Sequence, residues 1–117
     1  MTVASPAPAA IVAPPLPQGF TAACVSAGIK ASGAPDLAML RCPNGAVAAA
    51  MFTTNRFAAA PVLASRRNLR DSRGHCSVLV VNSGCANAAT GPEGAADAEA
   101  MIDAAAAACD CTPAAVL

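Results

Sequence analysis

Apolar and polar positions along this chain fall into short stretches of different period. From Gly19 to Gly33, Phe20, Ala23, Val25, Ala27 and Ile29 recur at an approximate period of two with Gly28 interposed, which predicts a strand bulged at Gly28. Ser32-Gly33-Ala34-Pro35-Asp36 is turn chemistry, and Leu37–Leu40 is a second apolar run. Asn44-Gly45 lies between Leu37–Arg41 and Ala46–Phe52, a spacing that predicts a hairpin of two antiparallel strands. The second of these ends in Thr53-Thr54-Asn55-Arg56. After Pro61, the stretch Val62–Leu69 reads as a short helix with Arg66, Arg67 and Arg70 on outer positions, broken by Asp71-Ser72-Arg73-Gly74. Val78-Leu79-Val80-Val81 is an unbroken run of β-formers and predicts a strand buried on both faces. Residues 94 to 109 predict a helix, since Ala is the best helix former and Ala98, Met101, Ile102, Ala105 and Cys109 share one face. Thr112-Pro113 stops it, and Ala114–Leu117 begins another apolar strand that the sequence leaves unfinished. The order of elements is mixed α and β.

The run at 78 breaks without transition into Asn82, Ser83, Gly84, Asn87, Thr90 and Gly91. These small residues hydrogen-bond to local backbone, and the glycines permit positive φ. A buried strand opening at its C-terminal end into such a loop is a frequent place for a ligand site, so these six residues are the candidate substrate-binding or supporting loop. The alternative is a well-made connector. Glu93 and Asp97 stand near the start of the following helix, where its dipole favours acids.

Composition narrows the picture. The 117 residues allow one small domain, and 7 Lys plus Arg against 7 Asp plus Glu recruit neither nucleic acid nor a membrane surface. The signs are segregated: five arginines lie between 56 and 73, while Glu93, Asp97, Glu99, Asp103 and Asp110 crowd the last quarter. Such a pattern reads as two solvated faces, which can face each other. Hydrophobic residues make up 56% but aromatic ones only 3%, so the apolar mass is mostly Ala and Val and buries little area per residue. The chain therefore needs burial against more polypeptide. Six Cys contain no C-x-x-C pair, and the single His75 completes no zinc set, so the reading is free thiols packed as small hydrophobes, with no metal and no cofactor. Residues 1–17 carry five prolines and no charge. They read as a disordered, polyproline-like lead with neither a secretory signal nor a presequence pattern, which makes cytoplasmic the expected location. The ordered part, 18–117, begins near Gln18.

In order and spacing, several segments resemble the amino-terminal part of the ornithine acetyltransferase family, the bifunctional glutamate N-acetyltransferases of arginine biosynthesis. They are Gly19-Phe20-Thr21-Ala22-Ala23, Ala27-Gly28-Ile29-Lys30, Pro35-Asp36-Leu37-Ala38, Phe52-Thr53-Thr54-Asn55-Arg56, Ala59-Ala60-Pro61-Val62, Val80-Val81-Asn82-Ser83-Gly84, and Ala86-Asn87-Ala88 with Thr90-Gly91. The sequence departs from the family pattern at Cys24 (usually Gly), Ala50-Met51 (a Gly-Val pair), Cys85 (Asn) and Ala89 (Cys).

The resemblance implies a layered sandwich of the self-cleaving, amino-terminal-nucleophile type, incomplete in this chain. It implies a precursor that cuts itself before an internal Thr, which then takes an acetyl group from N-acetylornithine and passes it to glutamate in ping-pong fashion, and it leaves open whether acetyl-coenzyme A is also used. It further implies a β-chain from the same precursor and an assembly of two α and two β chains. The family's oxyanion Thr-Gly pair falls just beyond Leu117 and the nucleophile much later, so no catalytic residue is expected among residues 18–117, the first portion of an α-chain. The competing readings are a non-catalytic binding module of the same fold and a related self-processing amidase or aminopeptidase.

Overall fold

The computed structural model describes residues 15–117. Of the expected lead, positions 1–14 lie outside the described residues, and Pro15, Leu16 and Pro17 are exposed without regular structure. The elements are β1 (Thr21–Val25), β2 (Leu37–Val47), α1 (Ala60–Asp71), β3 (His75–Asn82), α2 (Gly91–Cys109) and a 3-10 turn at Pro113–Ala115. The strands form an antiparallel sheet in the order β1-β2-β3. Mixed α and β is what the sequence predicts.

Several strand expectations need correction. The first strand stops at Val25, and Gly28 is not a bulge within it but a turn residue at φ +85°. The backbone N–H groups of Ala27 and Lys30 are drawn to the Asp36 side chain, which pulls this stretch out of the extended conformation. The Asn44-Gly45 hairpin does not form. β2 runs past it, pairing Arg41 with Val78 and then Ala46 with Cys76, so residues 42–45 swell out as a bulge opposite Ser77. An Asn-Gly signal is local, whereas β3 captures both flanking segments into one ladder and keeps them in line. The strand ends at Val47, and Ala48–Phe52 lies outside it.

β3 begins three residues earlier than the apolar run and is buried on one face only. Val78 is fully inaccessible, while Leu79 is 41% and Val81 is 51% exposed. Both helices cover the Val78 side. Ala64 of α1 and Ile102, Ala105, Ala106 and Cys109 of α2 cluster on Val78 and Val116, with Met39 and Val80 packed at the margin. The predicted face of α2 is thus the one that packs. Each helix carries a proline in its first turn, where the missing N–H costs nothing, and α1 extends to Ala60–Asp71, longer than 62–69. α2 starts at Gly91 rather than 94 and ends at Asp110 in the left-handed region.

Two polar links fasten the helical layer. Arg67 on α1 makes a bidentate pair with Glu99 on α2, at 2.6 and 2.8 Å, which joins the basic and acidic segments. Buried Asn68 donates to the carbonyls of Pro113 (3.0 Å) and Val116 (2.9 Å) while its amide oxygen accepts from Arg67. Held in this way, Val116 bridges Val78 in parallel, and the Leu117 N–H reaches the Val78 carbonyl at 2.9 Å. The expected last strand is therefore confined to Val116 and Leu117, because Pro113–Ala115 coil into the 3-10 turn. The cysteines differ from expectation as well. Cys109 is buried, but Cys24 and Cys85 are exposed, since one lies on a strand without a cover and the other in a loop.

Candidate functional site

The loop after β3 is shaped by its own polar side chains. Asn82 donates its amide to the Cys85 carbonyl at 2.7 Å, closing the chain back on the strand end. The Ser83 N–H donates to the Asp36 carbonyl at 2.8 Å, tying the loop to the start of β2. Asn87 donates to the Gly94 carbonyl at 2.7 Å, and the Thr90 hydroxyl donates to the Asn87 amide oxygen. Asn87 and Ala89 both take positive φ, at 47° and 58°. A left-handed Asn is tolerable because its short amide bonds locally; Ala89 has no such compensation and is held by the bonds on either side.

Gly94 is the residue that sequence reasoning missed here. It is buried in the first turn of α2, and a Cβ on it would overlap the Thr90 hydroxyl and the Asn87 amide oxygen. Only a bare backbone lets Asn87 and Thr90 lie on the helix as they do. A glycine in the first turn of an otherwise Ala-rich helix, following Asn87 and Thr90 at close range, is the signal that could have flagged it.

Of the six predicted residues the structure brings three together. Asn82, Asn87 and Thr90 line a cleft of about 290 Å³ with Cys85, Ile29, Pro61, Asp97, Ala98 and Met101. Gly91 lies with Thr90 on a neighbouring cleft of about 410 Å³ between the helices, whose charged groups are Arg67 and Glu99. Ser83 and Gly84 line neither, and their part is to fix the loop. Two amides, a hydroxyl and the Asp97 carboxylate around apolar walls can orient a small polar, amine-bearing molecule through hydrogen bonds. Asp97 was legible only as an acid near a helix start; its place on the cleft comes from the tertiary fold. Among the described residues no group of three or more His, Cys, Asp or Glu could hold a metal ion. No described helix is long and apolar enough to cross a membrane.

Nearby charge is modest in effect. The Lys30 and Ala27 N–H groups hold the Asp36 carboxyl below its ordinary range, and the Arg67 hydrogen bonds do the same for Glu99. Burial pushes the Cys76 and Cys111 thiols above the ordinary thiol range.

Residues 21–117 match the ArgJ family. The chain is 46% identical over 101 residues to the arginine biosynthesis bifunctional protein ArgJ of Nitratidesulfovibrio vulgaris, covering 86% of this chain and 25% of that protein. It is 53% identical over 83 residues to the mitochondrial ArgJ of Schizosaccharomyces japonicus, covering 70% of this chain and 19% of that one. Among solved structures, the ornithine acetyltransferase of Mycobacterium tuberculosis complexed with ornithine superposes with a TM-score of 0.78 at 45% identity, over 86% of this chain and 54% of that chain. The Bacillus halodurans ArgJ structure gives 0.79 at 32% identity, over 85% and 51%. The chain spans about a quarter or less of the curated relatives and about half of the solved chains.

Proposed function

The chain belongs to the ArgJ family, and from that premise we propose that it forms part of an acetyltransferase of arginine biosynthesis that moves the acetyl group of N-acetylornithine to glutamate. The names of its relatives and the amino-acid ligand of the solved ornithine acetyltransferase support that reaction. In the proposed sequence a Thr outside these 117 residues, freed by self-cleavage, attacks the acetyl carbonyl while its own α-amine takes the hydroxyl proton. The tetrahedral intermediate collapses with release of ornithine as the amine, leaving an acetyl-Thr ester. The amine of glutamate then attacks the ester and carries the acetyl group away. The cytoplasm is the proposed location, and two α with two β chains the proposed assembly.

What this chain contributes is a wall of the site. The observation that carries this is the parallel bridge between Val78 and Val116. It points the segment at Val116 and Leu117 in the same direction as β3, toward the end where Asn82 leaves the sheet. In a chain that continues, a strand at ~3.3 Å per residue draws level with Asn82 about four residues beyond Val116. Asn82, Asn87 and Thr90 would then border whatever that strand delivers, close to the positive end of α2, which favours a carboxylate-bearing substrate.

The test uses the full-length protein. Self-cleavage and acetyl transfer from N-acetylornithine to glutamate are expected, and Asn82→Ala is expected to lower turnover while cleavage and folding stay intact. The same assay with acetyl-coenzyme A decides whether it is also a donor. A full-length protein that cleaves itself yet hydrolyses amides instead of transferring acetyl groups overturns the reaction, and parent-like kinetics in Asn82→Ala overturn the role of the loop.

A further inference from the structure

Asp36 is 3% exposed although it carries a charge, and every polar group it owns is used. Its carboxylate accepts the N–H of Ala27 at 2.6 Å on one oxygen and that of Lys30 at 2.8 Å on the other. Its own N–H donates to the Val25 carbonyl at 3.0 Å, and its carbonyl accepts from Ser83 at 2.8 Å. One residue therefore gathers the end of β1, the turn from 27 to 30 and the first residue beyond β3. Bonds from backbone N–H to an ionised carboxylate are about twice as strong as neutral ones. An amide in its place would set a donor against one of the two N–H groups.

The turn that Asp36 holds is also the floor under the loop. Gly84 sits at φ +104° against it, so close that a Cβ would meet Lys30 Cγ at 3.0 Å and Ile29 Cγ2 at 3.2 Å. Ile29 itself lines the cleft with Asn82, Asn87 and Thr90. We propose that Asp36 is the positioning residue of this cleft: its carboxylate fixes the 27–30 turn, the turn places Ile29 as a cleft wall and seats Gly84, and Gly84 with Ser83 sets the path of the Asn82–Gly91 loop. Asp36 touches no ligand and acts through Ile29 and the loop. The proposal deepens the reading above, since it takes that loop as bordering the substrate.

Amide hydrogen exchange and steady-state kinetics on the full-length protein, parent against Asp36→Asn, test it. Exchange is expected to quicken by about tenfold at Ala27, Lys30 and Ser83, whose N–H groups Asp36 holds, with the amides of Ala98–Ala106 unchanged. In the acetyl-transfer assay KM for the amino-acid substrate is expected to rise roughly fivefold with kcat near the parent value. Faster exchange confined to 27–30, or spread evenly over α2, overturns the proposal. Localised exchange with both KM and kcat unchanged leaves the positioning intact and overturns instead the reading of the loop as a substrate border. Gly84→Ala presses on the same contact from the loop side and decides the matter if Asp36→Asn does not fold. It is expected to quicken exchange reciprocally at Ala27 and Lys30, and unchanged exchange there overturns the proposal.

Discussion

The two faces of the sheet have different fates although their sequence is alike. On the helix side, Val78 and Val80 meet Ile102, Ala105, Ala106 and Cys109. On the other side, Leu79 opposes Leu40, Val81 opposes Ala38, and Ala38 opposes Cys24, and no described helix or strand is layered over them. A strand made for one cover alternates apolar with polar; β3 is apolar at every position from Val78 to Val81. The residues of the open face are those of an interior, so the strand is composed for two covers, and the described residues fold only one over it. The small size of the covered side makes the same point, because four of its eight buried hydrophobic residues are alanines.

The largest effect that could break this comparison is loss of cooperative folding. The 117-residue chain on its own is expected to bind an apolar dye strongly and to melt broadly, because the burial of one face does not offset chain entropy. A sharp calorimetric transition would show that one cover suffices. Next comes a pair of truncations in the full-length protein. Ile102→Ala on the covered side is expected to cost about 2–5 kcal/mol, and Leu79→Ala on the open side a similar amount if a second layer lies there. Denaturant titration checks both, and a Leu79→Ala loss under about 0.5 kcal/mol would mean that its face stays in water.

Asn68→Ala is expected to cost about 1–3 kcal/mol in the same titration, since it leaves the Val116 carbonyl without its donor and the Pro113 carbonyl with the Val116 N–H alone. A neutral outcome would mean that Val116 holds to Val78 by packing alone. The smallest effect concerns Glu99, whose carboxyl is held below its ordinary range by Arg67. Its contribution is present above the unfolded carboxylate value and is lost as pH falls through the depressed folded one. Both side chains are well exposed, so the size is below about 1 kcal/mol. Glu99→Gln should flatten that portion of the acid stability curve, and an unchanged curve would remove the pair from the account.

Elements with a local cause were legible. The two helices follow from Ala content, Pro61 and the spacing from Ala98 to Cys109, and the loop from the abrupt change at Asn82. What escaped was decided by partners outside the segment that carries the pattern. Asn44-Gly45 is a hairpin signal until β3 arrives to pair on both sides of it. The apolar period through Ala27 and Ile29 is that of a strand until Asp36 collects the N–H groups of Ala27 and Lys30. Within the candidate site, the side-chain chemistry of Asn82, Asn87 and Thr90 marks them in the sequence, and they share a cleft. Gly94, Asp97 and Ile29 join them only through packing, which periodicity does not encode.

The bond from Asn68 to Val116 spans 48 positions of sequence, and that span has a consequence during synthesis. At about 5–20 residues per second a ribosome needs roughly 2–10 s to deliver Val116 after Asn68 has emerged. From the emergence of β3 (His75–Asn82) to the end of that interval the strand's free edge lacks its parallel neighbour, and the Asn68 amide N–H groups are answered only by water. An unpaired apolar edge is a template for other chains. The order of emergence therefore makes the nascent protein most vulnerable to association between the synthesis of β3 and that of Val116, and slow codons placed in the α2 segment would lengthen the hazard.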